Sequence, residues 1–197
     1  MGDVTQLIVQ ARAGDRGALD RLFALLYPEL REIAHRRLAP HQRGGLLDTT
    51  ALVNECYLRF VQRDSLRPED RAHFLAYAAT VMRSIIVDTA RQALAARRGG
   101  DLERQTLDSV LADSLAAPAE DILDVEAALQ QLGQLDARLV QVVEMRYFVG
   151  MKDAEIAEAL GLSTPSVHRA WEKARLLLAH ALRGEVDVAI AALTRNA

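Results

Sequence analysis

Apolar residues recur at three- and four-residue intervals along almost the whole chain, and that period selects helix over strand. Val4, Leu7, Ile8 and Ala11 form one stripe, ended by Gly14. Leu19, Leu22, Phe23 and Leu26 form a second after Asp15. Leu30, Ile33, Ala34 and Leu38 carry a third past Pro28 to Pro40. A loop over 40–48 holds Gly44-Gly45 and leads to a helix with Val53, Cys56, Tyr57, Phe60 and Val61 on one face. Asp48 or Thr49 can cap that helix by accepting a backbone N–H. A charged loop over 64–71, with Pro68, precedes a long helix bearing Phe74, Tyr77, Ala78, Val81, Ile85 and Arg91. Beyond residue 120, Ile122, Val125, Ala128, Leu129 and Leu132 make another stripe, and Leu139, Val142, Val143 and Tyr147 follow Asp136 and stop at Gly150. With 33 Ala and 30 Leu against 5% aromatic residues, composition favours helix and leaves little material for sheet.

The expected fold is therefore all-α. A chain of 197 residues, 50% apolar, can bury one core or two small ones. The net charge of −3 locates the division, because residues 1–100 are net +4, 101–126 net −7, 127–183 net +1 and the rest net −1. Gly99-Gly100 and Pro118 bracket an acidic stretch without clean periodicity. It reads as a flexible linker over 99–120 between helical domains at 1–98 and 121–197. Its acids are either solvated or set to imitate nucleic acid.

The run Lys152-Asp153-Ala154-Glu155-Ile156-Ala157-Glu158-Ala159-Leu160-Gly161-Leu162-Ser163-Thr164-Pro165-Ser166-Val167 has the form of a helix-turn-helix. Ala157 is small enough for two helices to cross, Gly161 permits a left-handed turn, Ser163 can cap the second helix and Pro165 suits its first turn. The second helix of such a unit enters the major groove by its N-terminal end. Ser166, His168, Arg169, Lys173 and Arg175 are thus the candidate DNA contacts, with Thr164 and Glu172 exposed beside them. Arg169 and Lys173 suit guanine edges or phosphate.

Several classes are set aside. One cysteine, Cys56, allows no intrachain disulfide and sits on an apolar helix face. No apolar run approaches the ~20 residues of a membrane span, and the first residues lack the shape of a signal peptide. No metal-ligand spacing, Gly-Lys phosphate loop, HExxH or GxSxG is present. We expect a cytoplasmic protein that is not an enzyme, without catalytic residues, metal, cofactor or small-molecule substrate.

Two segments together resemble bacterial RNA polymerase sigma factors of the extracytoplasmic-function (ECF) group. The first is Asp48-Thr49-Thr50-Ala51-Leu52-Val53-Asn54-Glu55-Cys56-Tyr57-Leu58-Arg59-Phe60, followed by Phe74, Tyr77, Ser84, Asp88 and Arg91 along one helix. The second is Arg146-Tyr147-Phe148-Val149-Gly150 with the helix-turn-helix run. The resemblance implies a sigma-two-like domain that docks on the polymerase clamp and opens the minus-ten element, and a sigma-four-like domain that sits on the flap and reads the minus-thirty-five element. It assigns Asp48, Leu52, Asn54, Glu55 and Leu58 to the clamp, and Tyr77, Arg83, Ser84, Asp88 and Arg91 to the melted strand or its flanking duplex. Stacking on Tyr77 and phosphate tracking by arginine suit that task, although Tyr77 equally suits core packing and Phe74 suits it better. His35, Arg36, Arg37 and Arg43 form a basic stretch that either follows backbone or is a solvated face.

One departure stands out. The family's acidic cluster reads Asp48, Thr49, Thr50, Ala51 here, so two carboxylates are missing. Removing one side of a buried interfacial charge pair costs ~2–5 kcal/mol, and a phosphothreonine restores about −1.5 to −2 of charge. The resemblance extends to ECF groups thought to be controlled by a Ser/Thr protein kinase, with Thr50, or else Thr49, as the acceptor; the alternative is that both threonines simply start a helix. Two rival functions remain from the sequence: a helix-turn-helix regulator acting without stable polymerase docking, and a helical protein-interaction adaptor.

Overall fold

A computed structural model describes residues 2–38, 47–62, 68–99 and 108–183. Arg43 and Gly44-Gly45, residues 64–67 of the expected charged loop, residues 100–107 of the expected linker and the tail after Arg183 lie outside these residues. All regular structure among the described residues is helical. The order is α1 (Gly2–Arg12), α2 (Arg16–Leu25), α3 (Tyr27–Leu38), α4 (Thr49–Val61), α5 (Arg71–Gly99), α6 (Asp108–Leu135), α7 (Ala137–Val143), a π-helical turn (Glu144–Val149), α8 (Asp153–Leu160) and α9 (Thr164–Leu182).

The stops and starts have local causes. Asp15, Asp48, Asp136 and Ser163 each accept a backbone N–H at the head of a helix, from Ala18, Ala51, Arg138 and Ser166. Gly150 and Gly161 end their helices in the left-handed region, at φ 81° and 63°.

Helices α1–α5 enclose one core in which Ile8, Leu22, Leu30, Ile33, Leu52, Phe74 and Met82 are fully or almost fully buried. At its centre Phe23 meets Phe60 and Phe74 edge-on at 5.0 and 5.6 Å, and Phe60 meets Tyr77 at 5.2 Å. Four of the nine aromatic rings in the chain are thus used as packing. Cys56 is buried among them, and burial pushes its thiol up to about 12, so it stays protonated and inert.

The C-terminal helices pack round two smaller clusters. Leu129, Leu132, Leu139, Val143 and Leu177 tie α6, α7 and α9 together. Val142, Met145, Ile156, Ala157 and Val167 hold the π turn, α8 and α9.

The expected linker differs from what forms. Residues 108–120 are helical and continuous with the stripe predicted from 122, through Pro118. The reason is tertiary. Ala119 and Ile122 are buried in the core of the first five helices, so α6 lies along α5 and belongs to both halves of the molecule. Sequence periodicity does not register a docking of this kind.

Truncating the central ring is expected to be costly. Phe74→Ala should lower the unfolding free energy by about 3–5 kcal/mol, read as a fall in the urea midpoint by circular dichroism.

Candidate nucleic-acid interface

Helix α4 carries the first group of predicted contacts. Thr50, Asn54 and Leu58 follow at four-residue spacing and all three are exposed, Leu58 to 47%. They form one strip, with Glu55 half-buried beside it and 3.7 Å from Arg59. Two residues assigned to the same contact are used otherwise. Asp48 caps α4 through Ala51 N at 2.8 Å. Leu52 points into the core and has no exposed surface, because it lies on the opposite side of the helix from Thr50 and Asn54.

Helix α5 divides the second group between two faces. Ser84, Asp88 and Arg91 lie on the side towards α4. Arg59 reaches from α4 to Asp88 at 2.9 Å and to Ser84 at 3.4 Å, and Arg91 is 3.8 Å from Asp88. Tyr77 belongs to this side too, half-buried with its ring against Phe60. Arg83 does not. One residue round the helix from Ser84, it faces α6 and the π turn, where it meets Glu126 at 3.1 Å and Glu144 at 3.0 Å.

Helices α8 and α9 carry the third group. They cross at Ile156, Ala157 and Val167, joined by the Gly161 turn. Leu162 N closes the turn on Ala157 O at 2.8 Å. His168, Arg169, Lys173 and Arg175 are exposed along one side of α9. Ser166 is half-buried and its hydroxyl is engaged, 2.8 Å from Ser163 Oγ and accepting from Arg169 at 3.1 Å. Arg175 donates to Glu172 at 2.8 Å, which holds the Glu172 carboxyl below its usual range. Glu172 thereby offsets part of the positive charge on this side. Arg146 braces the start of the pair: it donates to Asp153 and lies over the Trp171 ring at 4.9 Å. Asp153 is also 3.7 Å from His168.

A fourth constellation was not predicted. Arg37 of α3 is 4% exposed and donates to Glu144, itself 4% exposed, while its guanidinium lies 3.5 Å from the Phe148 ring centroid. Burial and the adjoining Arg83 charge lower the Arg37 pKa, and Glu126 opposes them. Arginine starts high enough to stay charged. Next to it Arg36 donates to Val149 O at 3.2 Å, over Gly150, whose missing Cβ leaves room for that guanidinium. The signal was present in the sequence. Arg37 falls on the stripe of Ile33, Ala34 and Leu38, and Glu144 interrupts Val142-Val143 and Met145, so each is a charge at a core position.

Among the described residues no three His, Cys, Asp or Glu side chains gather as a metal site, and no helix is long and apolar enough to cross a membrane. The Gly161 turn offers a direct check. Gly161→Ala should cost ~1–2 kcal/mol through the left-handed backbone alone, since nothing lies within 4 Å of an added Cβ; a thermal melt measures it.

No curated protein matches the chain. A family model for the ECF sigma factors matches residues 1–184. That match spans all of α1 to α9, the exposed strip of α4 and the basic side of α9, and the chain belongs to the ECF sigma factor family.

Proposed function

We propose that α8 and α9 act as a helix-turn-helix that reads the minus-thirty-five element, that the α4 strip docks on the polymerase clamp, and that phosphate on Thr50 enables that docking. As an ECF sigma factor the chain is a non-enzymatic transcription initiation factor, and its partners are core RNA polymerase and promoter DNA. Sigma factors act in the cytoplasm.

The observation that carries the DNA reading is the division of α9. Val167, Ala174 and Leu177 are buried on one side, and His168, Arg169, Lys173 and Arg175 are exposed on the other. A groove-reading helix needs that separation. The minus-ten role of Tyr77, Ser84, Asp88 and Arg91 rests on their common side of α5. In this reading Arg59 holds Asp88 and Ser84 in place beside the melted strand. With Arg169→Ala and Lys173→Ala together, promoter binding should weaken and the slope of log affinity against log salt should fall by about two. An unchanged slope overturns the assignment, and a double variant whose function is unaffected points instead to a protein-interaction adaptor.

Two features support the Thr50 proposal. Its side chain is exposed at the second position of α4, where the helix N-terminus favours a dianion. It also heads the strip that continues through Asn54 and Leu58. A Ser/Thr protein kinase is the implied partner. Unmodified protein and Thr50→Ala should bind core polymerase at least about tenfold more weakly than kinase-treated protein, with Thr50→Glu in between. Full run-off transcription by unmodified Thr50→Ala would sink the idea. Co-purification with core polymerase separates this function from that of a regulator working without it.

A further inference from the structure

The five residues of α9 that the helix-turn-helix form assigns to DNA are not equally available. Arg175 is paired with Glu172 at 2.8 Å, and His168 lies 3.7 Å from Asp153 of α8. Ser166 is half-buried, and its hydroxyl has a neighbour on either side. Arg169 and Lys173 remain, both exposed and one turn apart. Arg169 is the nearer to the N-terminal end, which enters the groove of a docked duplex.

Ser163, Ser166 and Arg169 follow at three-residue spacing and form a continuous chain of hydrogen bonds. Arg169 Nη2 donates to Ser166 Oγ at 3.1 Å. Ser166 Oγ lies 2.8 Å from Ser163 Oγ, which also accepts the Ser166 backbone N–H at 3.3 Å as the cap of the helix. The Ser166 hydroxyl is thereby held between the cap and the guanidinium. Arginine has five N–H groups fixed in one plane. One Nη2 hydrogen goes to Ser166, and whichever of the two it is, one edge of the plane keeps two parallel N–H groups. Such an edge matches O6 and N7 of guanine, the base that presents two acceptors side by side in the major groove. An unfastened arginine gives up rotamer freedom on docking, and holding it beforehand lowers that cost. Lys173 carries a point charge and has no such edge.

We propose that Ser166 is a positioning residue: it makes no base contact itself, and it holds the Arg169 guanidinium so that its free edge reads one guanine of the minus-thirty-five element. This rests on the helix-turn-helix reading of α8 and α9. Discrimination at that base pair then depends on a hydroxyl that does not touch DNA, whereas overall affinity depends on the charges of Arg169 and Lys173. A cation in the groove displaces counterions whether it meets a base or a phosphate. The salt slope therefore does not separate the two uses of Arg169, and base preference does.

The test uses the full-length chain to select duplexes from a random DNA library. Fluorescence anisotropy at fixed salt then gives the affinity of each variant for the best duplex and for its single-base-pair replacements. Wild type should prefer one G·C pair over its replacements by about tenfold or more, and Arg169→Ala should remove that preference and no other. Ser166→Ala should reduce the same preference by about fivefold, with the preferences at other positions and the slope of log affinity against log salt unchanged. Ser166→Thr, which keeps the hydroxyl, should restore it. In the Arg169→Ala background, Ser166→Ala should change nothing further. Alanine at 166 leaves the Ser163 cap on the backbone N–H in place. Arg169→Lys is a check that leaves Ser166 untouched: it keeps the charge, lacks the fork, and should lose the guanine preference with the slope unchanged. Wild-type preference in Ser166→Ala, or an equal loss at every base pair, overturns the positioning role and leaves the DNA reading standing. A guanine preference that survives Arg169→Lys overturns the assignment of base reading to the fork. Failure of wild type to prefer any sequence overturns the helix-turn-helix reading and the positioning role with it.

Discussion

Arg37 is a permanent cation on the inward side of α3, at a position where the helix period calls for an apolar residue. An isolated buried charge is too costly to persist, so its counter-charge has to come from another element. Glu144 meets it from the first residue of the π turn, Phe148 covers the guanidinium and Arg83 approaches the other oxygen of the same carboxylate. Those contacts fix where the π turn lies, and with it the start of α8 and the angle at which α9 is presented. Removing one partner of such a pair commonly costs ~3–5 kcal/mol, whereas apolar residues of similar volume in both places are often no less stable. Its main effect is therefore to choose one arrangement of the two halves, and it adds little to the stability of that arrangement.

Around this contact the molecule separates into surfaces that are engaged and surfaces that are free. The α4 strip and the basic side of α9 face outward. The Arg83 side of α5 is covered. Asp88 is half-covered by the Arg59 network while Ser84 and Arg91 stay exposed, and that network links α4 to α5 and so connects the expected clamp contact with the expected promoter contact. This arrangement thus exposes some members of each predicted set and hides others. The division follows which side of a helix each residue occupies, and not its type.

Much of the site was legible for this reason. Predicting that His168, Arg169, Lys173 and Arg175 face outward requires only the 3.6-residue period and the apolar anchors beneath. The same reasoning places Thr50, Asn54 and Leu58 together and turns Leu52 inward, where the match to the family motif had put it outside. Asp48 illustrates the opposite difficulty. A carboxylate at a motif position is also a good helix cap, and the sequence alone does not rank the two uses. Arg83 and Glu144 were not legible as partners because they are far apart in the chain, and pairing at that separation depends on how α5 and the π turn are packed.

The sequence by itself determined the helices, their caps and glycine stops, the position of the aromatic core and the separation of charge into basic flanks around an acidic centre. These are local properties, set by side-chain period, backbone freedom and the first turn of each helix. Tertiary structure alone decided that the acidic centre continues as α6, that α6 docks on α5 through Ala119 and Ile122, and that Arg37 and Arg83 are answered by Glu144 and Glu126. A buried charge must find its partner wherever packing brings one, and no local pattern encodes that distance.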